Sequence, residues 1–168
     1  MNIIFLDIDG VLNDSETFNN IKLEYDLLCS KYPKTERIDN IDYLLERKKL
    51  ELDLSKLLIL KNIVDLTNSK IVLISSWINT KIIILIEDYF NSLGIPIEGK
   101  IDTETCVRGI GIKKYLEEHQ VDNYLILDDE IFDTYDDELK YHLIHTNFYN
   151  GGLQQEHVDE AIYRLRKK

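Results

Sequence analysis

The sequence predicts an α/β fold, a three-layer α/β/α sandwich built on a mainly parallel, Rossmann-like sheet. Four short segments, rich in apolar residues, have the length and composition of buried strands, at residues 3–6, 70–74, 123–127 and 141–145. Segments with helical periodicity lie between these runs, and strands that alternate with helices indicate a parallel sheet covered on both faces. The length of 168 residues suits one domain with a hydrophobic core of its own. We therefore expect residues 1–168 to form a single domain.

The first apolar run ends in two aspartates and a glycine. Asp7, Asp9 and Gly10 follow Leu6 almost directly. A buried carboxylate is costly unless it is paired or bound to a metal, and open α/β sheets bind ligands at the carboxyl ends of their strands. The pair of aspartates therefore indicates a functional site.

A polar segment separates this first strand from the other predicted strands. It extends over residues 14–53, and Pro33 is expected to divide it into two helical pieces. We expect a small helical, cap-like insertion over one end of the sheet, and a partly ordered surface excursion is the alternative. The apolar residues with helical spacing are Leu23, Leu27, Leu28, Ile41, Leu44 and Leu45.

The later helices are predicted from caps and apolar spacing. Ser55 is a candidate N-cap for the helix before the second strand, and Gly94 with Pro96 is expected to end the helix after it. Another helix is expected over residues 110–119, and a last one near the C-terminus. The residues expected to face the core are Leu57, Leu60, Val64, Ile82, Ile86, Tyr89, Leu93, Val158, Ala161, Ile162 and Leu165.

Polar residues follow each of the four predicted strands. Right-handed crossovers place the carboxyl ends of parallel strands at one edge of the sheet, so these residues should converge there. They are Asp7, Asp9, Ser75, Ser76, Asp128, Asp129 and Thr146.

Four carboxylates at one edge repel each other strongly. At about 4 Å and an effective dielectric constant of about 20, each pair of like charges costs about 4 kcal/mol. Either some of the four are protonated or a cation lies among them, and oxygen ligands beside a phosphate favour Mg²⁺. The alternative for Asp128 and Asp129 is a loop start that caps the next helix.

Two features could hold a phosphate near this acidic group. Ser75 and Ser76 lie between a strand and a helix, where a hydroxyl and free backbone N–H groups can bind an anion. Arg108, just before a predicted helix, could act as a clamp, with Lys113 and Lys114 as alternatives. Trp77 is interpreted as a core or wall residue.

Composition and charge limit the possible partners and location. The net charge of −11 does not indicate a broad nucleic-acid or anionic-membrane surface, although a local basic site stays possible.

Cys29 and Cys106 are expected to be reduced thiols. No apolar run has the length of a membrane span, and aspartates interrupt the first one, so we expect a cytoplasmic protein without a signal peptide. Export by a route that cleaves no signal is the alternative.

These motifs resemble those of the haloacid dehalogenase superfamily of aspartyl phosphohydrolases, over nearly the whole chain. That superfamily has an apolar strand followed by Asp-x-Asp, a strand ending in Ser or Thr, a basic residue before a helix, and a strand ending in an acidic pair. The matching positions are Asp7 and Asp9, Ser75, Arg108, and Asp128, Asp129 and Asp133.

Within the superfamily, the chain looks most like the domains of Swiss Army knife RNA-repair proteins. Two positions depart from the expected pattern, Ile78 where an Arg is expected and Arg108 where a Lys is usual. The shared features are Leu6 to Asn13, Ser75-Ser76-Trp77, Arg108-Gly109, Leu125 to Asp129, and Gly152-Leu153.

The resemblance implies a Mg²⁺-dependent phosphatase that acts on a phosphomonoester through an aspartyl-phosphate. Asp7 would be the nucleophile and Asp9 the general acid and then base. Ser75, or Ser76, and Arg108 would hold the phosphoryl oxygens. Mg²⁺ would be bound by Asp7, the Asp9 backbone carbonyl and Asp129, with help from Asp128.

Two alternatives to a small-molecule phosphatase stay open. The substrate could be a phosphorylated nucleic-acid end, or the chain could be a non-catalytic or receiver-like module. A receiver domain has its acidic pair after the first strand and its phosphoacceptor after a middle strand. Here the middle strand ends in Ser75 and a second acidic pair comes late, an order that favours the phosphatase.

Overall fold

The computed structural model describes residues 1–102 and 107–166. Its strands are β1 (Asn2–Leu6), β2 (Ser69–Leu73), β3 (Ile97–Lys100), β4 (Asn123–Asp128) and β5 (Leu143–His145). Its helices are α1 (Ser15–Asn20), α2 (Lys22–Lys31), α3 (Ile41–Leu50), α4 (Leu54–Thr67), α5 (Ile83–Ser92), α6 (Arg108–Glu118), α7 (Asp137–His142) and α8 (Glu156–Arg166). Short 3₁₀ helices cover Ser76–Asn79 and Phe148–Asn150.

The five described strands form one parallel sheet in the order β3-β2-β1-β4-β5. Leu6 at the end of central β1 lies opposite Leu73 of β2 and Leu127 of β4. The chain first extends outward through β2 and β3, then crosses to the other side of β1 to form β4 and β5. The crevice at the carboxyl ends of β1 and β4 is therefore the topological switch point, where such sheets bind ligands.

Successive side chains of the central strand β1 point to opposite faces of the sheet and belong to two separate hydrophobic cores. Ile4 and Leu6 pack with buried residues of α4, α5 and α8 on one face. Ile3 and Phe5 pack with buried residues of α6 and α7 on the other face. Because both faces of β1 are covered, the strand is apolar from Ile3 to Leu6. The predicted α/β fold with a parallel sheet is confirmed.

The sheet differs from the prediction at its two edges. Strand β3 was not predicted, because Ile97–Lys100 is short, contains Gly99 and is only half-buried. Strand β5 is shorter than the predicted 141–145. Tyr141 and His142 belong to α7, where the Asp136 side chain accepts a hydrogen bond from the Leu139 N–H and begins the helix.

Several helix boundaries also differ from the predicted ones. Asp53, not Ser55, is the N-cap of α4, and its carboxylate accepts a hydrogen bond from the Ser55 N–H. Helix α6 begins at Arg108, two residues earlier than predicted. Helix α8 buries the predicted Val158, Ala161 and Leu165.

Residues 14–53 contain three helices, α1, α2 and α3, and Pro33 lies between α2 and α3. Much of their apolar surface is open, since Leu23, Leu27 and Ile41 are exposed while Leu28 is buried. Cys29 is a free, half-buried thiol, and Cys106 lies outside the described residues. No helix of the described ranges is both long and apolar enough to span a membrane.

Candidate active site

A tight turn follows β1 and carries the first two candidate residues. The Asp7 N–H donates to the Leu127 carbonyl at 2.9 Å, which extends the pairing of β1 with β4 by one residue. The N–H groups of Val11 and Leu12 then both donate to the Ile8 carbonyl, and this closes the turn. As a result Asp7 is buried in the crevice, whereas Asp9 faces solvent.

Three carboxylates meet at the switch point. Oxygen atoms of Asp7, Asp128 and Asp129 all lie within 4.8 Å of one another. Gly10 makes room for this cluster, because a Cβ at position 10 would lie 2.1 Å from the Asp129 carboxylate. An all-oxygen set of this kind suits a hard divalent cation. The Asp9 carboxylate and the exposed Asp133 lie outside this cluster.

Arg108 joins this acidic cluster from the first turn of α6. Its guanidinium donates to Asp7 Oδ2 at 3.0 Å and to Asp128 Oδ2 at 2.7 Å. The two alternative clamps have partners elsewhere, since Lys113 pairs with Asp136 and Lys114 lies 3.8 Å from Glu118. Of the three basic residues considered, Arg108 is therefore the one that contacts the cluster.

Burial and crowding shift the proton affinities in the cluster. Burial raises the pKa of Asp7 to about 7, an effect that Asp128 reinforces and the Arg108 cation opposes. Burial and the neighbouring charges of Asp128 and Glu130 also raise the pKa of Asp129. The nearby anions raise the pKa of Arg108, despite its own burial, so its charge is retained. A bound divalent cation would favour the ionised form of these carboxyls.

Asp128 is the most firmly held member of the cluster. Besides Arg108, its Oδ2 accepts a hydrogen bond from the Tyr135 hydroxyl at 2.7 Å, and its Oδ1 accepts one from the Glu130 N–H at 3.0 Å. Both Asp128 and Tyr135 are fully buried. Sequence reasoning missed Tyr135, because an isolated tyrosine in a loop carries no pattern that relates it to a strand seven residues earlier.

Two side chains donate hydrogen bonds to the Asp9 carboxylate. The Asn13 Nδ2 donates to Asp9 Oδ1 at 2.9 Å, and the Trp77 indole Nε1 donates to Asp9 Oδ2 at 3.0 Å. Trp77 is buried as predicted, but the hydrogen bond to Asp9 was missed. The available signal was chemical, since a buried indole N–H nearly always has an acceptor.

The two serines after β2 occupy different environments. Ser75 is fully buried at the N-cap of the 3₁₀ helix, and Ser76 is exposed at its first position. The Ile74 N–H donates to the Leu6 carbonyl, which places Ser75 beside the turn after β1. On β5's side, the Thr146 hydroxyl donates to the Gly10 carbonyl at 2.8 Å and supports that turn.

Two sets of contacts connect the insertion, residues 14–53, to the region of the site. One is a largely buried ion cluster and the other is a cation–π contact. Lys56 of α4 pairs with Asp14 at 2.9 Å and with Asp53 at 3.0 Å, which joins the two ends of residues 14–53. Lys48 of α3 lies 3.9 Å above the centre of the Trp77 ring.

A doubly covered parallel sheet with this acidic crevice at its switch point defines an α/β protein of the haloacid dehalogenase (HAD) type. The chain belongs to the family described as the HAD domain in Swiss Army Knife RNA repair proteins, whose model matches residues 3–158. Neither a curated protein nor a solved structure was found to match. The resemblance read from the motifs is thus confirmed. Family membership together with the acidic cluster indicates hydrolase chemistry of the phosphatase type, which in such domains generally uses a divalent metal.

Proposed function

We propose that this protein is a Mg²⁺-dependent phosphatase that hydrolyses a phosphomonoester through an aspartyl-phosphate on Asp7. The observation that carries the proposal is the position of Asp7. It lies at the end of the central strand, buried, between two further carboxylates and an arginine. A nucleophile, a cation site and a phosphate clamp thus adjoin one another.

The proposed reaction has two displacements at phosphorus. In the first, an Asp7 oxygen bonds to phosphorus while the bond to the leaving oxygen breaks, and Asp9 gives that oxygen its proton. In the second, Asp9 takes a proton from water as the water oxygen bonds to phosphorus. The bond between phosphorus and Asp7 then breaks, inorganic phosphate leaves, and both aspartates return to their starting states.

The cation would be held by Asp7, Asp128, Asp129 and the Asp9 backbone carbonyl. When bound, Mg²⁺ supplies positive charge against the phosphoryl oxygens and the carboxylates. Arg108, which donates to Asp7, is proposed to exchange this contact for one with the phosphoryl group. Ser75 or Ser76 is proposed to donate to the same group, with Ser75 nearer the turn after β1 and Ser76 more accessible.

Replacement of Asp7 by Asn tests this mechanism. With a generic aryl phosphate and Mg²⁺, Asp7→Asn should lose at least about 10³-fold in turnover, since the nucleophile is removed. Asp65→Asn is a matched control, because Asp65 is an exposed carboxylate near the end of α4, at the opposite edge of the sheet. The same substrate without Mg²⁺ tests the metal requirement.

Two results would contradict this proposal. Full activity in the Asp7→Asn protein would exclude Asp7 as the nucleophile. An aspartyl-phosphate that persists for hours in Mg²⁺ would instead support the receiver-like alternative.

A phosphorylated RNA end is the second candidate substrate. The description of the matched family, which names RNA repair proteins, supports it, whereas the net charge of −11 does not. Comparing a 3′-phosphorylated oligonucleotide with a small phosphoester distinguishes the two. Preference for the oligonucleotide would support the RNA end, and equal rates would argue against a nucleic-acid role.

A further inference from the structure

We propose that Trp77 is a positioning residue for Asp9. Its indole N–H holds the carboxyl in the orientation from which Asp9 transfers its proton. The inference rests on the proposed role of Asp9 and goes beyond it, because it assigns a role in the reaction to a core side chain. The geometry that supports it is the 3.0 Å contact between Trp77 Nε1 and Asp9 Oδ2.

Asp9 needs hydrogen-bond partners because burial does not restrain it. Its side chain is exposed, unlike Asp7 and Asp128, which are buried. An unrestrained exposed carboxylate samples several rotamers, and proton transfer requires it within hydrogen-bond reach of the leaving oxygen. Two fixed donors, one on each oxygen, leave the carboxyl little freedom to rotate.

The first donor, Asn13, is itself fixed by the turn. The Gly10 N–H donates to Asn13 Oδ1 at 2.9 Å, so the amide must direct its Nδ2 group towards Asp9. Asn13 is fully buried, which limits its movement.

The second donor, Trp77, comes from outside the turn and is also buried. Its ring is buried in the core that covers one face of the sheet, and the 3₁₀ helix that carries it follows β2 directly. An indole N–H can only donate, so it contacts an acceptor lone pair of Asp9 whether or not the carboxyl is protonated. The remaining lone pairs of Asp9 stay available for the proton that is transferred.

Leaving-group dependence is the readout that separates positioning from general structural support. Phenyl phosphate has a leaving group that needs a proton, whereas p-nitrophenyl phosphate has nearly the same size and a leaving group that departs as an anion. In Trp77→Phe, kcat/KM for phenyl phosphate should fall about tenfold to hundredfold, within the roughly 10²–10⁴-fold that general acid catalysis contributes. For p-nitrophenyl phosphate the fall should be less than about threefold.

A second variant avoids the smaller ring of phenylalanine. Because Trp77 is the only tryptophan, biosynthetic replacement of its indole by benzothiophene removes the N–H while nearly preserving the ring shape. The same selective loss with phenyl phosphate is expected. Equal losses with both substrates in this variant would overturn the positioning role.

The hydrogen bond itself can be tested without any activity. The single indole N–H gives one resonance in a ¹H–¹⁵N spectrum, and Asp9→Ala should move it upfield because the carboxylate acceptor is lost. Asp65→Asn should leave it in place. An unchanged resonance in Asp9→Ala would overturn the inference. An inactive wild-type protein would instead contradict the proposed function, and the positioning role with it, even with the hydrogen bond confirmed.

Discussion

At the scale of single residues, Gly10 decides whether the acidic cluster can form. Its φ of +75° belongs to the left-handed region, and its missing Cβ is what lets Asp129 approach the turn after β1. An alanine there would meet the Asp129 carboxylate at 2.1 Å, a distance that no packing tolerates. The glycine is therefore a requirement of the site as well as of the turn.

We expect Gly10→Ala to weaken Mg²⁺ binding about tenfold or more, since each 1.4 kcal/mol or so of lost binding free energy is a factor of ten. Displacement of Asp129 is the physical reason. Gly94→Ala is the matched control, because Gly94 has the same φ of +75° and a Cβ there would meet only the end of the Lys61 side chain.

Both variants should lose stability from the strained backbone, by roughly 1–2 kcal/mol. Only Gly10→Ala should lose Mg²⁺ affinity, measured by calorimetric titration. Equal Mg²⁺ affinities in the two variants would show that Asp129 does not bind the ion.

At the scale of elements, α3 connects the insertion to the proposed proton donor. Lys48 stacks on the Trp77 ring at 3.9 Å and also pairs with Glu51 at 2.7 Å. The same indole then donates to Asp9, so two contacts link helix α3 to the Asp9 carboxyl. A substitution in α3 can therefore affect the Asp9 carboxyl through Trp77, without any contact between α3 and the substrate.

Two neighbouring lysines of α3 test this link. Lys48→Met should shift the Trp77 indole resonance, because the cation above the ring is removed. Lys49→Met makes the same charge change, but Lys49 lies over Tyr89 at 4.7 Å and should leave the resonance unchanged.

Loss of the cation–π contact should cost each variant about 1 kcal/mol, and Lys48→Met should lose somewhat more because it also removes the ion pair with Glu51. Urea unfolding measures that loss, and the indole resonance distinguishes the two positions. If both variants shifted the resonance equally, the effect would come from net charge and not from stacking.

At the scale of the whole molecule, a largely buried ion cluster joins the two ends of the 40-residue insertion, residues 14–53. Lys56 is almost fully buried between Asp14 and Asp53. Burial opposes ionisation, but hydrogen bonds from Ser55 and Lys56 outweigh it and lower the pKa of Asp53 to about 2. Hydrogen bonds from Lys56 and Thr17 likewise lower the pKa of Asp14.

Lys56→Met should cost about 3–5 kcal/mol of unfolding free energy at pH 7, because it leaves the buried Asp14 carboxylate and the half-buried Asp53 carboxylate without their cation. The folded-state pKa of Asp53 is below its ordinary value of 3.8. Its contribution is therefore complete above pH 3.8 and is lost as the pH falls towards 2. The difference between wild type and variant should shrink over that range.

Urea unfolding at several pH values measures this difference. Lys61→Met is the control on the same helix, because Lys61 pairs with the exposed Asp65 and its loss should cost less than about 1 kcal/mol at any pH. A pH-independent difference for Lys56→Met would show that packing of the lysine stem, and not charge, is responsible.

The sequence by itself determined four of the five described strands and most of the proposed catalytic set. Runs such as Ile3 to Leu6 are apolar throughout because both faces of a central parallel strand are covered, and the topology of such strands brings Asp7 and Asp128 to one edge. Short-range patterns of this kind are visible in the order of residues. Strand β3 escaped prediction because an edge strand is half-exposed and lacks a continuous apolar run.

Only the tertiary structure decided which side chains support that set. The contacts of Trp77 with Asp9, of Arg108 with Asp7 and of Tyr135 with Asp128 join residues from separate elements or loops. These contacts depend on side-chain rotamers and on helix packing, and neither produces a periodic pattern in the sequence. The sequence therefore placed the acidic groups and Arg108 near a common edge, and packing decided which hydrogen bonds orient the carboxylates.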